Sequence, residues 1–249
     1  LESLMPIMEV ASILTGTRGV SLPFSDACPL PVSNRNQFQS LFDHAVDFGK
    51  KRKWKYLELR GGEKHLSQEK PSIVFWGHKL DLSRGPEKLF SRLRNSTQRN
   101  IRKAQSANVV VNISQSLAAV KEFCRLNVLT RKEHGLPPQP FNFFNHLHKQ
   151  VIDRDMGFIA TASIGNHVIA ANVYLYFGNE VIYKYGASDK KYQHLRANNL
   201  VMLKAIRWSC DRNFKEMSFG RTEPEHRGLM QFKDGWGAKT YKITYYRYN

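Results

Sequence analysis

Apolar residues recur every three or four positions across residues 34–53, where Phe38, Leu41, Phe42, Ala45 and Val46 share one face. That spacing predicts an amphipathic helix, with Ser33 or Asn34 as its cap. Short apolar runs at 6–10 and 19–24 read as strands. The alternating segment 54–60 and the apolar segment 73–82 read as two more. Pro86 stands where a helix starts, and 87–107 follows as helix with a break near Asn95. This segment is basic, carrying Lys88, Arg92, Arg94, Arg99, Arg102 and Lys103.

The second half is more regular. A strand at 109–113 precedes a helix that Ser116 caps and that runs to about His134, with Val120, Phe123, Cys124, Val128 and Leu129 inward. Pro137, Pro138 and Pro140 break the chain before a helix at 141–154. Strands at 157–164, 167–177 and 180–187 are joined by Gly165-Asn166 and Gly178-Asn179, two-residue hairpin signals. Asn198 or Asn199 opens a helix to about Asn213. A short strand at 216–220, a turn or two of helix at 228–235 and an alternating strand at 238–248 complete the chain. The order from Val109 onward is β-α-α-β-β-β-α-β-α-β. An antiparallel meander that leads through a helix into a parallel strand resembles the GNAT acyltransferase fold, an α/β class with a mixed sheet. The first half resembles the back part of the same unit, and "KWKYLELR" (53–60) aligns loosely with "FKEMSFGR" (214–221). Tandem units are therefore expected: residues 1–106 as a partial, N-terminally truncated unit carrying the basic connecting helix, and 107–249 as a complete one. A first residue that is Leu1 rather than Met agrees with a fragment of a longer product.

Composition narrows the partners. The 249 residues are 41% hydrophobic and 24% charged, a globular balance that excludes whole-chain disorder. No apolar run reaches the roughly 18 to 20 residues of a membrane span. Three dispersed cysteines without C-x-x-C, and nine histidines without H-E-x-x-H, argue against a disulfide framework or a structural zinc site and for a reducing, cytoplasmic compartment. The net charge of +17 favours polyanions: tRNA or other nucleic acid, a pyrophosphate-bearing small molecule, or an anionic membrane face.

Several ordered blocks resemble the FemAB-like branch of the GNAT superfamily, the relatives of the peptidoglycan bridge-forming aminoacyltransferases. They are "SLPFSDACPLPV" (21–32), "YLELR" (56–60), "RNIRKA" (99–104), "TRKEHGLPPQP" (130–140), "YKYGASD" (183–189), "NNL" (198–200), "FGRT" (219–222) and "GLMQFKDGWGA" (228–238). The resemblance implies acyl transfer onto an amine without a tightly bound cofactor. The donor it implies is aminoacyl-tRNA, with acyl-coenzyme A as the alternative. The acceptor is an anionic UDP-linked or lipid-linked cell-wall precursor, reached in the cytoplasm or at the inner membrane face, where peripheral contact is compatible with the charge.

Aminolysis of an ester or thioester needs a neutral amine, aligned substrates and a stabilised oxyanion, but no covalent nucleophile. The chain holds no G-x-S-x-G, and its cysteines fall inside predicted helices or before Pro29. Lys233, set between Phe232 and Trp236, is placed to donate to a carbonyl or phosphate oxygen, and the resemblance makes it the family's motif lysine near the acyl donor. The alternative is a lysine whose stem covers the helix. Arg221, just past a short strand, either grips an anion or pairs with Glu223 or Glu225. Arg60 holds the equivalent position in the first half. Arg196 and Asn198 stand at a helix N-terminus, an anion site by its free N–H groups, although Asn198 also suits an N-cap. The local "HLRANN" lacks the glycines of a coenzyme-A pyrophosphate loop. Tyr183 and Tyr185 share a face by the two-residue period, so Tyr185 either relays a proton or joins a core pair. Asp26 is a base or orienter for the amine, or an Asx-turn before Pro29. Arg99, Arg102 and Lys103 form one cationic helix face suited to a polyanion or simply to solvent. His146 and His148, two apart, make no metal pair, and no metal site is expected.

Overall fold

The computed structural model describes residues 2–249. The strands are β1 (Met8–Ser12), β2 (Gly16–Val20), β3 (Leu57–Leu59), β4 (Ile73–Asp81), β5 (Val110–Ser114), β6 (Gly157–Ile164), β7 (His167–Phe177), β8 (Glu180–Ser188), β9 (Glu216–Thr222) and β10 (Lys239–Tyr248). The helices are α1 (Arg35–Lys51), α2 (Pro86–Ser91), α3 (Asn95–Ser106), α4 (Leu117–Glu133), α5 (Phe141–Gln150), α6 (Ala197–Asp211) and α7 (Arg227–Asp234). Two compact units divide the chain. One holds the residues up to Gly77 with Arg221–His226 and Tyr241–Asn249, and the other holds His78–Gly220 and Arg227–Thr240.

In the first unit β1 and β2 form an antiparallel hairpin, Met8 opposite Val20 and Ser12 opposite Gly16. The expected strands at 6–10 and 19–24 are thus displaced, because the turn falls at Ile13-Leu14-Thr15, an apolar sequence with no turn signal before Gly16 at φ 79°. β2 runs parallel to β3, which pairs antiparallel with the end of β10 through Tyr246 and Leu59. The strand expected over 54–60 shrinks to these three residues. Asn34 caps α1 by accepting from the Gln37 amide at 2.9 Å. The face of α1 carrying Phe38 and Ala45 packs with Leu57, Leu59 and Tyr246.

In the second unit the strand order is β9-β8-β7-β6-β5. β5 to β8 are antiparallel neighbours, and β8 and β9 are parallel. The two-residue side-chain period divides the core in two. Phe158, Ala160, Ala170 and Tyr174 pack with α3 and α6, while Ile159, Ala171 and Val173 pack with Phe123 and Leu126 of α4 and Phe144 of α5. Ser116 caps α4 by accepting from the Ala119 amide at 3.3 Å. The helix expected over 141–154 stops at Gln150 and continues as one 3-10 turn, Ile152–Arg154.

The expected boundary after residue 106 lies elsewhere. Ile101 and Ala104 of α3 are fully buried in the same cluster as Leu200, Val201 and Met202 of α6. The basic helix is therefore part of the second unit, its apolar side buried and Arg99, Arg102 and Lys103 exposed outward. No helix among the described residues is long and apolar enough to cross a membrane.

Candidate active site

β8 and β9 pair only at their start, Glu180 to Glu216, Val181 to Met217 and Ile182 to Ser218. Their ladder ends there, although β8 continues to Ser188 and β9 to Thr222. The neighbouring β7–β8 ladder contains a bulge: Val173 faces Tyr185 and Tyr174 faces Tyr183, so Lys184 is the extra residue. An extra residue reverses the side-chain alternation. Tyr183 packs with Tyr174 and Phe219, but Tyr185 points to the other layer, among Phe123, Phe143 and Phe144. The expectation that the two tyrosines share a face is corrected. Tyr185 sits in the second layer's core cluster, and Tyr183 is the one at the fork.

A cavity of about 250 Å³ opens beside Tyr183 in the second unit; its walls include Tyr183, Ser188, Asp189, Arg196, Asn198 and Phe232. Burial pushes the Tyr183 hydroxyl up to about 12. It is protonated at neutral pH and so has an O–H to donate in a hydrogen bond. A methyl on Gly186 would lie 2.0 Å from that hydroxyl oxygen, so this position admits no larger residue without moving Tyr183.

The cavity meets the start of α6. A 3-10 turn, Lys190–Leu195, leads in and is closed by Asp189, which accepts from the Lys191 amide at 3.0 Å. Arg196 precedes α6 in the left-handed conformation, φ 60°, and no side chain caps the helix. The glycine missing from "HLRANN" is thus replaced by an arginine in a conformation that glycine adopts more easily. Asn198 lies inside the helix rather than capping it, and its Oδ1 is buried without a hydrogen-bond partner. Arg196 and Asn198 line one cavity, together with Leu229, Phe232 and Tyr192.

Lys233 is 2% exposed and donates from Nζ to the carbonyl oxygen of Gly220 at 3.0 Å. Leu229 is 40% exposed, and Lys233 is the buried residue of α7. Fully buried His78 stands by the same turn, its Nε2 3.4 Å from Asp234 Oδ1. Burial and the Lys233 charge lower the His78 pKa, and Asp234 opposes them. Asp234 also lies 3.8 Å from Arg94.

The other expected residues meet in the first unit. Arg221 is held by Asp26 and Tyr245. Its Nε lies 3.8 Å from Asp26 Oδ1, its backbone amide donates to Asp26 Oδ2, and its Nη1 donates to the Tyr245 hydroxyl at 2.8 Å. The Tyr245 hydroxyl in turn donates to the Asp26 carbonyl at 2.7 Å, and the guanidinium lies over the Phe75 ring at 4.4 Å. Asp26 therefore orients Arg221. Arg60 departs from its expected substrate role: it is largely buried, with Nε on Glu58 and Nη1 on the carbonyls of Pro23 and Ser25. It is a strut that fixes the loop carrying Asp26. No sequence signal could separate it from Arg221, since the two follow similar strands.

Residues 91–242 match the family model described as acetyltransferase (GNAT) domain. A search of curated proteins by sequence finds no match. Among solved structures, FemX is similar at a TM-score of 0.74 and 13% identity, over 97% of this chain and 83% of that one. L-PGS from Bacillus licheniformis is similar at 0.65 and 11% identity, over 98% and 80%. A tandem GNAT protein from the clavulanic acid biosynthesis pathway is similar at 0.61 and 9% identity, over 90% and 75%. These likenesses are of fold, and they agree with the GNAT element order and mixed sheet read from the sequence. With its parted strands, its cavity at a helix start and a family match over residues 91–242, the chain belongs to the GNAT family of acyltransferases.

Proposed function

We propose that the protein transfers an aminoacyl group from aminoacyl-tRNA to a primary amine of a UDP-linked or lipid-linked cell-envelope precursor. The observation that carries this reading is the cavity between Tyr183 of β8, the start of α6 and Phe232 of α7, into which Arg196, Asn198 and the uncapped start of α6 bring polar and positive groups. The neutral amine attacks the ester carbonyl, the amide C–N bond forms, the ester C–O bond breaks, and the amine proton passes to the departing ribose hydroxyl. Tyr183, held protonated, supplies a hydrogen bond to the developing oxygen charge. Lys233 fixes the carbonyl end of β9 and adds positive charge. The exposed face of α3, with Arg99, Arg102 and Lys103, suits the tRNA backbone by charge alone. Arg221, held by Asp26 and Tyr245, is a partly exposed fork for a phosphate or carboxylate of a substrate.

Acyl-coenzyme A is the second reading, favoured by the start of α6, which no side chain caps and where a pyrophosphate would sit. The test is product analysis by mass spectrometry after incubation with a UDP-muropeptide and either a panel of aminoacyl-tRNAs or a panel of acyl-coenzyme A thioesters. Transfer from tRNA alone supports the first reading. Transfer only from thioesters, with micromolar coenzyme A binding by calorimetry, moves the donor to the second. No transfer from either panel overturns both.

A further inference from the structure

The tip of the β1–β2 hairpin carries Ile13 at 106% and Leu14 at 93% of full exposure, the two most exposed large hydrophobic residues among those described. A tight turn needs neither, and polar residues would serve it better. The hairpin behind them is braced. The Trp54 ring fills the space beside Gly19 and Gly49, where a Cβ would lie under 3 Å from it. Glu9 accepts from Trp54 Nε1 at 2.6 Å and from the Arg52 guanidinium at 2.6 and 2.9 Å. These bonds hold the Glu9 carboxyl down to about 2, so the brace persists through the neutral range.

Arg18 and Lys55 flank the tip. The Lys55 amide donates to Thr17 at 2.9 Å, and the Lys55 side chain lies across Gly16, its Nζ 3.0 Å from where a Cβ would be. Arg18 donates to the Thr15 hydroxyl within the turn at 2.8 Å. Lys53 precedes this segment, and Lys50 and Lys51 end α1. Among the described residues, Asp47 forms an ion pair with Lys50 at 3.7 Å, and Glu9 forms one with Arg52.

We infer that this hairpin tip is a membrane-surface anchor: Ile13 and Leu14 enter the headgroup boundary of an anionic bilayer while Arg18, Lys53 and Lys55 meet its phosphates. An aliphatic pair or a basic cluster alone gives weak, reversible attachment, and the two together give a stable one. The basic collar selects a lipid surface over an apolar groove of a protein, and the rigid brace presents the tip without an ordering cost. The inference stands apart from the transferase chemistry, since it uses no residue of the cavity.

The test is co-sedimentation of the purified chain with vesicles of phosphatidylcholine alone and with vesicles that also carry phosphatidylglycerol. The expected result is binding to the anionic vesicles only, weakened roughly tenfold or more by Ile13→Asp with Leu14→Asp, and similarly by Lys53→Glu with Lys55→Glu. Ile13→Trp adds an independent readout, a blue shift of tryptophan emission on anionic vesicles. Circular dichroism checks that each variant folds, which the exposure of every substituted residue favours. Absence of binding to anionic vesicles overturns the inference, as does unchanged binding by the aspartate double variant. So does a dimer in solution that the same double variant dissociates without any vesicle binding, which would make the tip a contact between copies.

Discussion

Lys233 donates to the main-chain carbonyl of Gly220 at 3.0 Å, from a helix residue that is 2% exposed to a residue at the carboxyl end of β9. A buried ammonium is tolerated only with such partners, and a carbonyl buried without its donor costs about 1–3 kcal/mol. Lys233→Met keeps the stem volume and removes the donor. Its melting temperature is expected to fall by several degrees, and turnover by about 100-fold if the charge also serves the transition state. Lys233→Arg separates the two: stability is regained in part while turnover stays low, because a planar fork does not replace a point donor. Thermal melts and kcat on the same preparations check this.

Gly186→Ala places a methyl on the Tyr183 hydroxyl. The expected effect is a shifted Tyr183 and a loss of about tenfold or more in kcat/KM. Tyr183→Phe is expected to lower kcat with little change in KM, since it removes one hydrogen bond of the developing charge. Equal loss in KM alone would assign Tyr183 to ground-state binding.

His78 sets one limb of the pH–stability profile. Burial and Lys233 depress its folded pKa below the ordinary 6.5. The unfolded chain therefore binds the proton first, and this contribution to stability, complete above about pH 6.5, is lost as pH falls below it. His78→Gln should flatten the melting-temperature curve below about pH 6.5. A second loss, from Glu9, belongs lower, between 4.5 and about 2, and Glu9→Gln should remove it without touching the first.

Arg221 depends on Asp26 for its orientation. Arg221→Ala is expected to raise the KM of an anionic substrate about 10- to 100-fold, and Asp26→Asn by a smaller factor, because it leaves the charge and frees only its position. Steady-state kinetics with charged and neutral acceptor analogues reads the difference.

The α3 face is testable by salt. Arg99→Glu with Arg102→Glu should weaken tRNA binding about equally for all sequences and reduce the slope of log affinity against log salt by about 1 to 2. Both residues are exposed, so melting temperature should not move.

Periodicity was enough for most elements of the second half: the 3.6 period marks the helix side that meets the core, and the apolar runs between Gly-Asn turns mark strands that the two layers cover on both faces. The caps Asn34 and Ser116, the two Gly-Asn hairpins and the break before Asn95 are local chemistry and were equally legible. Tertiary structure decided what local patterns cannot encode. The bulge at Lys184 is invisible to a period count, yet it turns Tyr185 to the far layer and leaves Tyr183 at the cavity. Arg60 and Arg221 follow similar strands, and only partners distant in sequence make one a buried strut and the other an oriented, half-open cation. The hairpin tip escaped because its turn is written in Ile13 and Leu14. Sequence records the face that an element buries, since burial repeats along the chain; it does not record which distant groups will meet a given side chain, because that is set by packing between elements.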